Sequence, residues 1–296
     1  GLVTTILPVY NRAAMLRESA ATVLAQTYRN IELIIVDDGS SDDTAALVEG
    51  LADPRIRYLK HSPNRGGNYA RNRGIEAAQA PIVSFLDSDD AFLPEKAAFV
   101  LDFFARDSRI DALLDSHVLV YANGRPPRER RNPADLDPAR FRLGIFNGTL
   151  TKPTPAVSAR RAALIKIGGF DEGLRRRQDM DLLLRLSRKH ACASSDRMLW
   201  RKHWVAGAIS AERDSFIAAL LAICDRHPDY LTQAEYRVGL ERDLVRHFAE
   251  LAAAGHWRTI ARDVRRLRSD GRVRRPALRV WPSGARIFFK HLVGTR

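Results

Sequence analysis

The stretch "PIVSFLDSDDAFLP", residues 81–94, passes from a continuous apolar run into three carboxylates, Asp87, Asp89 and Asp90. A second run, "ELIIV" at residues 32–36, is also continuously apolar and also ends in a pair of acids. Apolar residues that do not alternate with polar ones are typical of strands covered on both faces, as in parallel sheets flanked by helices. Ligands of such sheets bind beyond the carboxyl ends of the strands, so both groups of acids mark the expected position of a site.

Apolar runs alternate with amphipathic stretches through the first 90 residues. This alternation of strands and helices predicts an α/β fold with a mostly parallel sheet flanked by helices. Further along, the pattern predicts a helix at 95–106, a strand at 111–121 and, in the Arg- and Pro-rich segment 123–138, an exposed loop. Only helical patterns remain near the C-terminus, so we predict two domains, residues 1–205 and a helical, basic C-terminal appendage at 206–296.

The chain carries a formal net charge of +13, most of it near the C-terminus. Residues 256–296 contain 12 Lys and Arg against 2 acids. Together with Trp281, Ile287, Phe288 and Phe289, this composition suits a helix that lies on an anionic membrane surface. A solvated basic face is the alternative. Nucleic-acid motifs are absent from the sequence, so we predict no nucleic-acid partner.

The longest clearly apolar run, "FIAALLAIC" from residue 216, is too short to cross a bilayer, and no secretory signal opens the chain. Two cysteines, Cys192 and Cys224, are too few for a disulfide framework, which fits a reducing compartment. We therefore expect a cytoplasmic protein, peripheral at the inner face of the membrane.

Carboxylates spaced D-x-D suit Mg²⁺ or Mn²⁺, hard cations that bind one or two protein carboxylates together with substrate phosphates. An EF-hand calcium loop does not fit, because Ala91 and Phe92 stand where that loop needs an oxygen ligand and a glycine. The segment "NRGGNYARNRG" at 64–74 lacks the spacing of a P-loop or a dinucleotide fingerprint. The acids therefore predict a metal-bound diphosphate ligand. For Asp90 we expect a cap on the helix that begins near residue 95.

Six motifs, in this order along the chain, resemble those of family 2 of the glycosyltransferases, which have the GT-A fold. They are "ILPVYNR", "QTYRNIELIIVDDGSSDDT", "NRGGNYARNRGI", "FLDSDDAFLP", "GGFDEGLRRRQDMDLLLRL" and "WRKHW". The resemblance runs from about Leu2 to Val205. It implies a hexosyltransferase that moves a sugar from a nucleotide sugar, very often a UDP-sugar, to an acceptor hydroxyl with inversion. A glycan or lipid-linked acceptor in cell-surface glycan, polysaccharide or glycolipid synthesis is expected. The Q-x-x-R-W motif of processive members is absent, so one sugar is transferred per encounter.

The resemblance also assigns residues to the donor. The residues that bind the nucleotide sugar are Pro8, Tyr10, Asp38, Arg65 and Asp87. Among these, Asp38 accepts a hydrogen bond from the base and Asp87 contacts the ribose. Asp89 binds the Mg²⁺ or Mn²⁺ cofactor directly, and His203 faces the metal or the diphosphate.

In the motif "RRRQDMDLLLRL" the family commonly has Glu before the general base Asp, whereas this chain has Gln178 before Asp179. The resemblance makes Asp179 the base that removes the proton from the acceptor hydroxyl. For Asp181 we expect only a stabilising position in the first turn of the helix, near its positive end.

Two rival functions use similar residues. A sugar-phosphate nucleotidyltransferase would need a Gly-rich phosphate loop after the first strand, where this chain has "PVYNR". A non-catalytic nucleotide- or glycan-binding module would not need the acids Asp38, Asp89 and Asp179 all to be intact.

Overall fold

The computed structural model describes residues 1–134, 137–204 and 215–272. The chain packs into two compact units. The sheet unit comprises Gly1–Ile145 and Thr149–Ala206, and the helical unit comprises Phe146–Gly148 and Gly207–Arg296. Our domain boundary at residue 205 remains a prediction.

Strands and helices alternate in the first half of the sheet unit, as predicted. The strands are β1 (Val3–Val9), β2 (Ile31–Asp37), β3 (Ile56–Lys60), β4 (Ile82–Phe85), β5 (Asp90–Phe92), β6 (Ile110–Tyr121), β7 (Arg128–Arg130), β8 (Val157–Arg160) and β9 (Ala191–Trp204). The helices are α1 (Ala13–Leu24), α2 (Thr44–Leu51), α3 (Gly67–Ala77), α4 (Lys96–Arg106), α5 (Pro138–Asn147), α6 (Arg161–Lys166) and α7 (Gln178–Lys189), with a 3₁₀ turn at Thr154–Ala156. The segment 123–138 is not wholly a loop, because β7 lies within it and pairs with β6.

The strands form one mixed sheet in the order β3-β2-β1-β4-β8-β6-β9-β5, with β7 paired to β6. The first four strands in this order are parallel to one another, and β6 and β9 are also parallel. In contrast, β8 is antiparallel to both neighbours, and β5 is antiparallel to β9. Strand pairing changes from parallel to antiparallel where the chain stops repeating the strand–helix unit that makes neighbouring strands parallel.

Helices cover both faces of the sheet. Gly74 of α3 lies against β1 so closely that a Cβ there would be 2.4 Å from Ile6 Cγ2. Val3 is an odd number of positions from Ile6, so its side chain points to the opposite face. On that face it packs with Val100 and Phe104 of α4. Burial of β2 along its whole length agrees with this two-sided covering.

In the helical unit, the described residues 215–272 form helices only, which confirms the predicted pattern for that range. These helices are α8 (Phe216–Arg226), α9 (Asp229–Thr232), α10 (Ala234–Ala253) and α11 (Trp257–Asp270). A buried contact of 2.9 Å between His247 and Asp263 joins α10 to α11. Among the described residues, no helix combines the length and apolar character that crossing a membrane requires. The predicted membrane-facing aromatic residues from Trp281 onward lie outside the described residues.

Candidate active site

The carboxyl ends of β1 and β2 meet at one edge of the sheet. Val9 is the register partner of Asp37, and the next amide, that of Asp38, donates to the carbonyl oxygen of Val9 at 2.9 Å. The following turn needs a glycine, because Gly39 has a φ of +83° and a Cβ there would lie 3.2 Å from backbone atoms of the 61–64 segment. The predicted nucleotide-binding residues at the two strand ends are therefore held close together.

Asp38 is buried, and three donors of the loop at 61–66 reach its carboxylate. Oδ1 accepts from the amide of Arg65 at 2.8 Å and contacts His61 Nε2 at 2.6 Å, while Oδ2 accepts from the amide of Gly66 at 2.7 Å. Asp38 therefore holds this loop at the strand end, a role that the sequence analysis did not anticipate. Because a carboxylate oxygen has two lone-pair positions, Oδ2 retains one for a further N–H donor.

The side chains around Asp38 form an aromatic, partly exposed edge. Tyr10, which directly follows β1, is 47% exposed, and Pro8, two residues before it, is half-buried. The guanidinium of Arg65 lies 3.6 Å from the ring centroid of Tyr69 and 3.7 Å from Glu172. Flat apolar surfaces beside hydrogen-bonding groups are suited to a nucleotide base.

An acidic cluster follows β4. Single carboxylate oxygens of Asp87, Asp89 and Asp90 all lie within 4.8 Å of one another. Two of these acids are ion-paired, because Arg71 lies 2.7 Å from Asp87 and Arg12 lies 2.8 Å from Asp89. Arg12 comes from the loop after β1 and Arg71 from α3, so these ion pairs connect the cluster to the elements that surround Asp38.

Asp90 does not cap a helix, contrary to our expectation. It belongs to β5, where it is the register partner of Lys202 in β9, and α4 begins only at Lys96. Its Oδ1 accepts from the amide of His203 at 3.0 Å, and its Oδ2 is buried with no hydrogen-bond partner in the described part of the chain. Burial raises the pKa of Asp90 to about 8, although Lys202, 3.7 Å away, opposes this.

The ammonium group of Lys202 interacts electrostatically with every acid of the cluster. Burial alone would lower the pKa of its ammonium group, but Asp90, Asp87, Asp89 and Asp179 together raise it. Lys202 therefore stays charged and balances part of the negative charge that the cluster gathers.

His203 lies beside the cluster. Its Nδ1 is 3.0 Å from the carbonyl oxygen of Asp89. A carbonyl can only accept, so Nδ1 carries a proton, and Nε2 is the ring nitrogen that can present a lone pair to a ligand. His203 is nevertheless outside the compact group formed by the three carboxylates.

These residues fit a divalent cation. The donors are hard carboxylate oxygens, which Mg²⁺ and Mn²⁺ both accept, and the imidazole of His203 lies beside them. The buried Oδ2 of Asp90 has a free lone pair and no internal hydrogen bond among the described residues. Asp89 and Asp87 each have only one oxygen in the ion pairs noted above.

Asp179 lies in the first turn of α7, and its Oδ1 accepts a hydrogen bond from the Thr154 hydroxyl. Burial raises the pKa of Asp179, the Thr154 hydrogen bond and the charge of Arg71 lower it, and Asp87 raises it. Asp179 is therefore electrostatically coupled to the acidic cluster. Asp181 is buried and accepts from Arg185 Nε at 2.8 Å, which agrees with the structural role expected for it.

Sequence reasoning missed four functional candidates, namely Arg12, Arg71, Thr154 and Lys202. Three of them stand in the motifs already quoted, but only as unremarked neighbours. Lys202 could have been found from strand pairing, since it lies opposite Asp90. Thr154 gives no such signal, because its partner is 25 residues away on another element.

Comparison with known proteins agrees with this geometry. The model of glycosyl transferase family 2 matches residues 4–168. A glycosyltransferase of Rickettsia prowazekii, itself uncharacterized, is 33% identical over 199 residues, which cover 63% of this chain and 59% of that protein. The chain spans between 16% and 59% of the length of the Rickettsia relatives it matches.

Solved structures share the fold. Residues 1–349 of TarS from S. aureus, in complex with UDP-GlcNAc, superpose with a TM-score of 0.66 at 20% identity over 84% of this chain and 73% of that one. The mannosyltransferase PcManGT of Pyrobaculum calidifontis, in complex with GDP-Man and Mn²⁺, gives a TM-score of 0.59 at 16% identity over 98% and 84% of the two chains.

The α/β fold and the family match over more than half of the chain define this protein as a member of a glycosyltransferase family. The chain belongs to glycosyl transferase family 2, which confirms the family indicated by the six motifs. The GT-A fold expected with it is likewise confirmed.

Proposed function

We propose that this protein is an inverting glycosyltransferase that moves one hexosyl group per encounter from a nucleotide-diphosphate sugar to an acceptor hydroxyl, with Mg²⁺ or Mn²⁺ as cofactor. One observation carries this proposal. A half-buried carboxylate, Asp179, lies within electrostatic reach of a compact cluster of three more, and Asp87, Arg71 and Lys202 all influence its pKa. A base and a cation-binding cluster in one site are what displacement of a diphosphate needs.

The nucleotide would bind at the edge formed by Tyr10, Pro8 and the loop that Asp38 holds. Asp38 Oδ2 is suited to accept from a base N–H, and Arg65 is suited to the rim of the same subsite. Asp87 would contact the ribose. The three carboxylates and His203 would hold the cation, which when bound supplies positive charge that balances the departing diphosphate.

Asp179 would act on the acceptor. Its carboxylate removes the proton from the acceptor hydroxyl while the hydroxyl oxygen bonds to the anomeric carbon and the bond from that carbon to the diphosphate oxygen breaks. Attack from the face opposite the diphosphate inverts the anomeric configuration. A raised pKa makes Asp179 a stronger base than an exposed aspartate, provided that it is ionised at the working pH.

The donor class follows from the fold neighbours by analogy only. One of them binds UDP-GlcNAc and another binds GDP-Man with Mn²⁺. The donor implied by the family resemblance is very often a UDP-sugar, so we favour a UDP-sugar. The nucleotidyltransferase alternative has no Gly-rich phosphate loop after β1 to support it.

A thermal-shift screen of UDP-sugars and GDP-mannose, each with and without Mn²⁺, tests this function. A donor at 100 times its Kd is expected to stabilise the native state by about 2.7 kcal/mol. The bound donor is then offered to candidate acceptors, and NMR of the product is expected to show the inverted anomeric configuration. Retention of configuration contradicts the single-displacement mechanism. Formation of a nucleoside-diphosphate sugar, with release of pyrophosphate, from a nucleoside triphosphate and a sugar 1-phosphate supports the rival nucleotidyltransferase.

We further propose that the helical unit docks on anionic bilayers, where lipid-linked acceptors are found. The inner face of α11 is buried through Ile260, Val264 and Leu267, whereas its outer face is basic. The exposed residues of this outer face are Trp257, Arg258, Arg262, Arg265, Arg266 and Arg268. Aromatic and arginine side chains on one face of a helix suit the surface of an anionic membrane. On this view the protein is peripheral at the inner face of the cytoplasmic membrane.

Triple replacement of Arg258, Arg265 and Arg266 by Gln is expected to weaken binding to phosphatidylglycerol vesicles by about 100-fold, at about 1 kcal/mol for each charge. Co-sedimentation at low salt measures this, and binding is expected to fall as salt rises. Substitutions are preferable to deletion from residue 256, because deletion would remove the buried face of α11. The matched control is triple replacement of exposed Arg17, Arg125 and Arg128 of the sheet unit. Equal losses in both variants, or no binding by the full chain, contradict docking through α11.

A further inference from the structure

We propose that Thr154 is a positioning residue for the general base, holding Asp179 so that one carboxylate oxygen is fixed and the other is left for the acceptor hydroxyl. This inference rests on the proposed role of Asp179. Thr154 is only 2% exposed, and its hydroxyl donates to Oδ1 of Asp179. Within the part of the chain that the structure describes, this is the only hydrogen bond to the carboxylate.

The hydrogen bond has two consequences for a base. It restricts rotation of the Asp179 side chain, because Oδ1 is tied to a hydroxyl on a separate segment. It also favours the ionised carboxylate, since a donor stabilises the charged form. Burial acts in the opposite direction and raises the pKa of Asp179. Thr154 thus limits how far burial suppresses ionisation.

Thr154 is itself firmly placed. It begins the 3₁₀ turn at Thr154–Ala156, where Pro153 and Pro155 on either side restrict the backbone. The carbonyl of Pro155 accepts from Lys96 Nζ at 3.3 Å. Thr151 lies three residues before Thr154, and its backbone exchanges two hydrogen bonds with the Asn132 side chain, at 2.8 and 3.0 Å. The turn is therefore anchored by side chains on both sides of Thr154.

The anchors are deeply buried polar groups that the proposed chemistry does not use. Lys96 is ion-paired with Asp115 of β6, and the two side chains are 1% and 0% exposed. Asn132 is 1% exposed and also donates to the carbonyl of Asp115. A buried ion pair is weak evidence of added stability, because desolvation offsets much of its attraction. Its contact with Pro155 gives this pair a further role, which is to fix the turn that carries Thr154.

The test compares Thr154→Val, which keeps the shape but removes the donor, with Thr154→Ser, which keeps the donor. For Thr154→Val, kcat is expected to fall about 10- to 100-fold with the KM for the donor unchanged, the loss typical of a hydrogen bond to a charged group. The acid limb of its kcat–pH profile is expected to move to higher pH, because the carboxylate loses a donor that favoured ionisation. Thr154→Ser is expected to restore kcat to within a few-fold of wild type.

Several outcomes overturn the inference. Wild-type kcat and an unshifted pH profile in Thr154→Val would show that the hydroxyl does not serve the base, and a Ser variant as slow as the Val variant would assign the effect to packing. Donor-induced stabilisation equal to that of wild type shows that each variant is folded.

Adding Thr154→Val to Asp179→Asn is expected to cause no further loss of turnover. If Asp179→Asn retains wild-type turnover, the base assignment fails first and this inference fails with it. Loss in Asp179→Asn without loss in Thr154→Val overturns this inference alone.

Discussion

Replacement of Asp179 by Asn is expected to lower turnover by about 10²- to 10⁴-fold while donor affinity stays near that of wild type. Asparagine has almost the same volume and still accepts from the Thr154 hydroxyl through its carbonyl oxygen, so the first turn of α7 is preserved. It has no basic oxygen, and the acceptor hydroxyl then keeps its proton as the new bond forms. Single-turnover transfer measures the chemical step, and thermal shift with the donor measures binding.

The control for this substitution is Asp181→Asn. Asp181 is two residues away in the same helical turn but is buried against Arg185 Nε at 2.8 Å. Its replacement is expected to lower stability, since Arg185 loses its ionic partner, while the turnover of the folded protein stays within a few-fold of wild type. Turnover of Asp179→Asn within a few-fold of wild type, with Asp181→Asn inactive though folded, would exchange the two roles.

The order of strands and helices was predictable wherever a local pattern decides it. The apolar run at 32–36 became β2, and the amphipathic pattern at 95–106 became α4. The antiparallel position of β8 between β4 and β6 was not predictable in the same way. It depends on which sheet edge a strand joins after a long excursion of the chain, and periodicity contains no information about that choice.

In the candidate site, too, the features that depend on local sequence were predictable and those that depend on long-range contacts were not. The sequence analysis predicted carboxylates at the carboxyl ends of strands, because their position there depends only on strand direction. It assigned Asp90 to a helix cap, since nothing local shows that β5 would pair with β9 and bury it opposite Lys202. The Arg12–Asp89 ion pair joins residues 77 positions apart, so only the folded chain reveals it.

Asp89→Ala is expected to weaken Mn²⁺ binding by at least about 100-fold and to abolish the part of donor binding that depends on metal. The estimate starts from the 10- to 100-fold that loss of even an outer partner of a metal ligand typically causes. Binding of the free nucleoside diphosphate without metal is expected to persist, because Tyr10 and the loop held by Asp38 do not involve Asp89. Mn²⁺ titration followed by electron paramagnetic resonance measures the metal site without turnover.

Arg12→Met separates the loss of the metal ligand from the loss of the ion pair. Asp89→Ala removes both the carboxylate and its 2.8 Å contact with Arg12, whereas Arg12→Met removes the contact and leaves the carboxylate. In the metal-free protein the guanidinium occupies one oxygen of Asp89, so its removal is expected to tighten Mn²⁺ binding or leave it unchanged. If Arg12→Met weakened Mn²⁺ binding as much as Asp89→Ala does, the ion pair would be the essential feature. Asp89 would then be a structural anchor for the loop after β1, and the cation would have to be held by Asp87, Asp90 and His203 alone.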